Sequence, residues 1–321
     1  MSIKEKLLKL LEENENKYVS GEALSVSLGV TRTAVWKAVN KLKDEGYPID
    51  SVKNCGYKLN CNADVMEESD ISALVTAQGV TVTAKRHVSS TNTVLREQAE
   101  KGAEHGSVFV ASSQSAGRGR MGRSFFSPDD TGIYMSILLR PSFDAEKASL
   151  ITCAAAVAVC KAIEKVCGAD VRIKWVNDIF LGGKKVCGIL TEASFSMESG
   201  KLEYAVLGIG INVYKPEGGF PCEIESIAGY IAEKREKKLR SRLTAQIINE
   251  FFSIYGEYEA FDFVDEYKAR SFVIGKKVKI IRGDTVKNAT VTDIDGKCRL
   301  LVEYENGEKD ALSSGEISIR F

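Results

Sequence analysis

Residues 113–126 read SQSAGRGRMGRSFF, and within them 117–123 alternate glycine with arginine almost residue by residue. Neither helix nor strand suits such a run. Each glycine weakens regular structure, and the arginines cannot be buried without partners. The run reads as a mobile loop whose backbone N–H groups approach an anion closely. Arg118, Arg120 and Arg123 add fixed charge and forked donors for a carboxylate or phosphate. No Gly-Lys-Ser/Thr follows, so this is not a Walker A loop. An arginine fills each spacer, so it is not a dinucleotide fingerprint either. A solvated basic loop and an arginine-glycine nucleic-acid segment remain open on these residues alone.

Working outward, 174–192 reads KWVNDIFLGGKKVCGILTE. Lys174, Asn177, Asp178 and Lys185 interrupt a sheet-forming run around a Gly182-Gly183 turn. A lysine held on a strand beside a tight hairpin serves as a rigid electrostatic clamp. Lys184 reads instead as an edge lysine that discourages aggregation. Upstream, Ser89-Ser90-Thr91-Asn92 closes a strand and opens a helix, with Thr91-Asn92 as the cap. The remaining hydroxyls, with the Gln114 amide, suit a ring around a small polar head group. Downstream, Gly208, Gly210 and Asn212 in LGIGINV put bare backbone and an amide where a ligand lies close to a sheet.

The chain has 321 residues, 44% of them hydrophobic and 27% charged, with formal net charge zero. That length allows two or three domains and a sizeable core. Zero net charge excludes a global field drawing the protein to nucleic acid or membrane, so such binding needs a local patch. The sequence shows no signal-peptide core and no apolar run of membrane-spanning length. Eight cysteines, with no C-x-x-C pair among them, fit reduced, buried thiols in a cytoplasmic protein rather than disulfides or zinc ligands. Two histidines, His87 and His105, are too few for a histidine-based metal centre.

Three segments follow different grammars. Residues 1–64 begin with a Ser2-x-x-Glu5 capping box and a leucine stripe. A second helix opens at Ser20 and closes at Gly29, and Thr31 caps a third running to about Glu45. Val35, Ala38, Val39 and Leu42 share one face of that helix. Arg32, Thr33, Trp36, Lys37, Asn40 and Lys41 share the other. Residues 49–59 then alternate around Asn54-Cys55-Gly56 as a hairpin wing. This is winged helix-turn-helix grammar, with the polar face of the third helix as the DNA-binding surface. A helical docking domain with a solvated charged face is the competing reading.

Residues 65–270 alternate strands with helices, including an alanine-rich buried helix from Ala145 to Cys167 and an amphipathic one from Leu239 to Phe261. Their hairpins predict a mixed or antiparallel sheet in an α/β domain. Residues 271–321 hold five short strands separated by Gly283-Asp284, Asp295-Gly296, Asn306-Gly307 and Ser313-Ser314-Gly315. That spacing predicts a C-terminal SH3-like β-barrel. The expected fold class is therefore multidomain α+β.

Taken together, SSTN (89–92), GRGRMGR (117–123), KWVND (174–178), KKVCGIL (184–190) and GIGINV (208–213) resemble the biotin protein ligases. The winged helix before them and the β unit ending in GEISI after them resemble the bifunctional biotin operon repressors within that family. The resemblance covers essentially the whole chain. It departs at Val176, where proline is usual, and at Phe125-Phe126, where a tryptophan is expected.

The resemblance implies that biotin and ATP form biotinyl-5′-AMP, and that the biotinyl group then passes to a lysine of a carboxylase biotin carboxyl carrier domain. It further implies operator DNA as a partner, a homodimer in the adenylate-bound state, and no membrane association. Residues matching the family's biotin site are Ser90, Thr91, Asn92, Gln114, Gly117, Arg118, Gly119, Arg120 and Lys185. Those matching its nucleotide site are Arg120, Arg123, Asn177, Lys185 and Asn212, with 214–224 ordering on the adenylate. Lys185 and Arg120 carry the catalytic expectation. Mg²⁺ is expected with ATP, and Asp178 is a candidate ligand with no wider set assigned. The rival readings are a lipoate or octanoyl ligase of the same architecture and a non-catalytic biotin-responsive regulator.

Overall fold

In a computed structural model, the residues described are 2–60, 64–141, 148–195, 202–256, 262–282, 285–313 and 316–319. The predicted start of one helix at Ala145, the end of another at Phe261, the Gly283-Asp284 turn, Ser314-Gly315 and Cys61 lie outside them.

The N-terminal unit matches its grammar closely. Helix α1 (Ile3–Glu13) carries the full Ser2/Glu5 capping box. Helices α2 (Gly21–Leu28) and α3 (Arg32–Asp44) are capped by the side chains of Ser20 and Thr31, and Gly29 turns the chain between them at φ 65°. Strands β1 (Ile49–Val52) and β2 (Gly56–Leu59) pair antiparallel as the wing. Leu7, Leu11, Leu24, Val35, Val39 and Leu42 close a core of their own. Each such side chain contributes about 1.5–3 kcal/mol by leaving water. Burying that face leaves Arg32, Thr33, Trp36, Lys37 and Lys41 exposed, with Asn40 half-buried beside them.

The central unit runs α4 (Glu68–Ser72), β3 (Thr81–Val88), α5 (Thr91–Glu100), β4 (Ser107–Gln114), β5 (Gly132–Leu139) and α6 (Ala148–Cys167). It continues through β6 (Arg172–Lys174), β7 (Asp178–Leu181), β8 (Lys184–Phe195), β9 (Leu202–Asn212), α7 (Cys222–Glu225), α8 (Leu239–Gly256) and α9 (Phe263–Arg270). Seven strands form one sheet in the order β3-β4-β5-β9-β8-β7-β6. Of these strands only β3 and β4 run parallel; every other pair is antiparallel, so the sheet is mixed.

Alternation along β9 sorts the two faces. Ala205, Leu207, Ile209 and Ile211 pack into the core that holds α6 and α8, while Tyr204 and Val206 face α5 with Leu95 and Phe109. Beyond Val206 on the α5 face come Gly208, which receives Asn92 from the first turn of α5, and Gly210, which receives the Phe125 ring.

Strands β10 (Lys277–Arg282), β11 (Thr285–Ile294), β12 (Leu300–Tyr304), β13 (Lys309–Leu312) and β14 (Glu316–Ile319) make the predicted small β unit, all antiparallel in the order β13-β12-β11-β10-β14. Its core is continuous with that of the central unit, since Val278, Val291, Leu300 and Ile317 join the cluster around α6. Trp175 Nε1 donates to the Cys298 carbonyl at 2.9 Å across this junction.

Asp64, at the expected first boundary, packs with the central unit. Its carboxylate lies 3.0 Å from Nε of Arg240, which is itself fully buried on α8. Tyr214 donates to the same carboxylate at 2.7 Å, and Arg240 also reaches Asp130 at 3.3 Å. A buried arginine is tolerated because every face of its fork meets an acceptor.

The cysteines divide by position. Cys153, Cys160, Cys187 and Cys298 are buried as expected, but Cys55 and Cys222 are exposed, because one sits in the wing turn and the other opens the short α7. Burial raises the Cys153 and Cys187 thiols well above their usual range and pushes Cys160 up to about 12. A raised pKa leaves little thiolate near pH 8, and the thiolate is the nucleophile. Alkylation of the native protein at pH 8, followed by peptide mapping, should therefore modify Cys55 and Cys222 rapidly. Cys153, Cys160 and Cys187 should react only after unfolding, and rapid native labelling of Cys187 would refute this packing.

Candidate active site

The cleft opens where the α5 face of the sheet becomes bare, enclosing a cavity of about 160 Å³. Cross-strand register builds its floor. Gly210 on β9 pairs with Gly188 on β8 and Tyr134 on β5, and Gly208 pairs with Leu190 and Ser136. A Cβ on Gly208 would sit 2.3 Å from Asn92 Oδ1, and one on Gly210 would sit 2.6 Å from the Phe125 ring. The bare backbone at these positions therefore receives protein side chains as well as bordering the cavity. Gly188 lies under both Phe125 and the Lys185 ammonium, each 3.3 Å from where its Cβ would be.

The hydroxyl segment begins the wall. Ser90 is the N-cap residue of α5 but makes no side-chain cap bond, and Thr91 and Asn92 lie inside the helix rather than capping it. Gln114, from the end of β4, does that work: its Oε1 accepts from the Thr91 amide at 2.9 Å, and its Nε2 donates to Ser127 at 3.0 Å. Asn92 is nearly all spent within the protein. Its Oδ1 accepts from the fully buried Ser136 at 2.6 Å, and its Nδ2 donates to Glu192 at 2.8 Å.

The glycine-arginine segment closes on itself over this floor. Gly119 N donates to Arg123 O at 2.7 Å and Phe125 N to Gly117 O at 2.9 Å, with a single 3-10 turn at Arg120–Gly122 between them. Gly117 sits at the loop base behind the cleft. A Cβ there would meet the Phe125 carbonyl at 2.4 Å, so the residue is needed for close packing. Two arginines tie the loop down. Arg118 pairs with Glu192 at 3.1 Å, and Arg120 donates to Asn177 Oδ1 at 2.9 Å. Arg123 lines the cleft with them.

Opposite the loop, Lys185 Nζ lies 2.7 Å from Asp178 Oδ1. The pair is set by register, because Asp178 on β7 faces Gly188 and a bulge between Ile179 and Phe180 brings Lys185 alongside. The Lys185 backbone also bonds both sides of a strap, donating to Ile227 O at 2.7 Å and accepting from Gly229 N at 2.8 Å. Asn212 holds that strap through Gly229 O at 3.0 Å and does not line the cleft. The cleft thus gathers Ser90, Thr91, Asn92, Gln114, Arg118, Gly119, Arg120, Arg123, Asn177, Asp178 and Lys185, and leaves out Gly117 and Asn212.

Sequence reasoning missed Ser136 and Glu192, which hold Asn92, and Ile317, which reaches the cleft from β14. Ser136 and Glu192 follow hydrophobic strand patterns and show their role only through partners far along the chain. Among the described residues no group of three or more His, Cys, Asp or Glu side chains gathers as a metal site.

Comparison with known proteins is consistent along the chain. A model of the biotin/lipoate A/B protein ligase family matches residues 84–212, a helix-turn-helix domain model matches 4–58, and a biotin protein ligase C-terminal domain model matches 273–320. The bifunctional ligase/repressor BirA of Bacillus subtilis is 33% identical over 98% of this chain and 98% of its own length. The chain belongs to the biotin protein ligase family, in its bifunctional ligase/repressor form. The corresponding Escherichia coli protein is 29% identical over 98% of this chain and 96% of its own. The biotin protein ligase of Aquifex aeolicus, solved with biotin and ATP, superposes with a TM-score of 0.61 at 27% identity, covering 74% of this chain and 98% of that one.

The packing over Gly208 can be tested directly. Gly208→Ala forces a methyl group into the Asn92 amide and breaks its bonds to Ser136 and Glu192. Overpacking of this kind costs about 1–3 kcal/mol. Urea denaturation should show a loss in that range, against almost none for Gly296→Ala, where nothing lies within 4 Å of the added carbon.

Proposed function

We propose that this protein activates biotin with ATP and transfers it to a carrier lysine, and that its winged helix represses biotin genes. The observation that carries the ligase half is the convergence of Lys185, Arg120 and Arg123 on one glycine-floored cleft. Two anions must meet there. A biotin carboxylate oxygen attacks the α-phosphorus of ATP, and the bond to the bridging oxygen breaks to release pyrophosphate. The lysine amine of a biotin carboxyl carrier domain then attacks the anhydride carbonyl, forming an amide and expelling AMP, while the amine loses its proton.

Charge neutralisation and positioning are what such chemistry needs. Lys185 lies across the floor where the carboxylate and α-phosphate would meet, steered by Asp178. Ser90, Thr91 and Gln114 offer polar groups to a ureido head. Arg120 and Arg123 face the nucleotide side, and Asn177 fixes Arg120. Asn212 acts at one remove, through the strap that flanks Lys185. Mg²⁺ would arrive with ATP, since it commonly keeps its own waters and substrate phosphates and takes only one or two carboxylates. Asp178 is the acidic residue lining the cleft and would be that ligand.

Domain boundaries near 64 and 270 fit the separate core of the N-terminal unit, while the last unit works with the central one. The exposed face of α3 suits a DNA major groove, and Trp36 is 55% exposed on it. Binding as an adenylate-stabilised dimer would match paired operator half-sites. A cytoplasmic location accords with the free cysteines. Among the described residues no helix is long and apolar enough to cross a membrane.

Biotin-dependent exchange of pyrophosphate into ATP tests the ligase, with lipoate as the competing substrate. Exchange with lipoate alone would favour the rival ligase, and exchange with neither would leave a binding regulator. Lys185→Met should lower the exchange rate by about 10²-fold, as loss of one oxyanion donor does. A rate within a few-fold of the parent would remove Lys185 from that role.

The repressor half is read by gel shift on DNA from biotin genes. Lys37→Ala and Arg32→Ala should weaken binding, and each should reduce the salt slope by about one unit for the phosphate it no longer neutralises. Arg32 shares its charge with Glu22, at 2.6 Å on the exposed surface, so its effect should be the smaller of the two.

A further inference from the structure

Among the described residues, Glu192 is the carboxylate that joins the substrate wall to the loop side of the cleft. It lies on β8, seven residues beyond Lys185, opposite Val206 and therefore on the α5 face. Its two oxygens serve different masters. Oε2 accepts from Asn92 Nδ2 at 2.8 Å, and Asn92 is anchored in turn by the fully buried Ser136. Oε1 faces Arg118 Nη2 at 3.1 Å. One end of the carboxylate is thus set in the rigid sheet, and the other holds the first arginine of the loop.

We propose that Glu192 is a positioning residue that latches the glycine-arginine loop shut through Arg118, and so keeps biotinyl-5′-AMP in the cleft between the two half-reactions. This rests on the ligase reading above. A second tie, Arg120 to Asn177, holds the middle of the same loop, and both ties end on the frame of β8, because Asn177 Nδ2 donates to the Ile189 carbonyl at 2.9 Å. The latch gives Arg118 a structural use for its charge. It closes the loop by pairing with the protein and leaves Lys185 and Arg120 to meet the substrate anions. An acyl-adenylate is hydrolysed by water, so a loop that opens between steps wastes the intermediate.

The pair is partly exposed, with side chains 42% and 27% accessible. Its strength is therefore near the upper end for surface ion pairs, which corresponds to about a fivefold effect. The experiment uses the full chain as Glu192→Gln, Arg118→Gln and the double variant. Two rates are measured: escape of preformed biotinyl-5′-AMP in a chase, and trypsin cleavage after Arg120 or Arg123. Each single variant should speed both by about fivefold, and the double variant should be no faster than the singles, since one interaction is lost once.

The split between parameters separates a latch from general damage. The biotin KM and intermediate escape should move more than the single-turnover rate of adenylation, and Arg118→Lys should recover part of the loss. Parent-like escape and cleavage in Glu192→Gln, or additive effects in the double variant, would overturn the latch. If the parent forms no biotinyl-5′-AMP, the ligase reading falls, and the trypsin rates still decide whether Glu192 holds the loop.

Discussion

Everything at the cleft depends on close approach to a bare sheet. Gly188, Gly208 and Gly210 sit where cross-strand neighbours share one face, so three missing side chains create a single trough. Into it come Asn92 and Phe125, nearer to Gly208 and Gly210 than a Cβ would allow, and the Lys185 ammonium in tight contact over Gly188. Glycine in a strand costs packing and chain entropy. The large core on the opposite face, where α6 and α8 pack against the alternate apolar residues of β9, supplies the compensation. A rigid, well-packed back thus supports an uncovered front.

On that front, polar side chains bind one another before they bind anything else. Ser136, Asn92, Glu192 and Arg118 form one chain from the buried sheet to the loop, and Asp178 with Lys185 forms another. Such networks hold donors in place ahead of the reaction, which is where electrostatic stabilisation gains most of its effect. The strap at 227–229, hydrogen-bonded on both sides of Lys185, extends the same logic to the backbone.

Local signals are the legible ones. Capping residues Ser2, Ser20 and Thr31, the buried face of α3 and the Gly182-Gly183 hairpin act within a few residues, and the structure bears them out. The readings that need amendment concern long-range partners. Thr91-Asn92 reads as a cap because the sequence cannot show Gln114, 23 residues on, occupying the helix end. Asn92 reads as free for ligand because its partner Glu192 lies 100 residues away. Asn212 belongs to the cleft by its motif, yet its amide turns to Gly229. The last β unit and the central sheet share one core, a joining that apolar periodicity cannot show because it does not say which neighbour a face will meet.

That shared core has a consequence for how the protein is made. Ile317 borders the cleft from β14, far along the chain from Lys185, and Cys298 anchors the Trp175 turn from the same unit. A nascent chain that has already displayed its winged helix, its loop and Lys185 still lacks part of the wall and the support behind it. The winged helix, with its own apolar cluster, can therefore close before the cleft does, since the cleft waits for strands that follow Lys185 by more than a hundred residues.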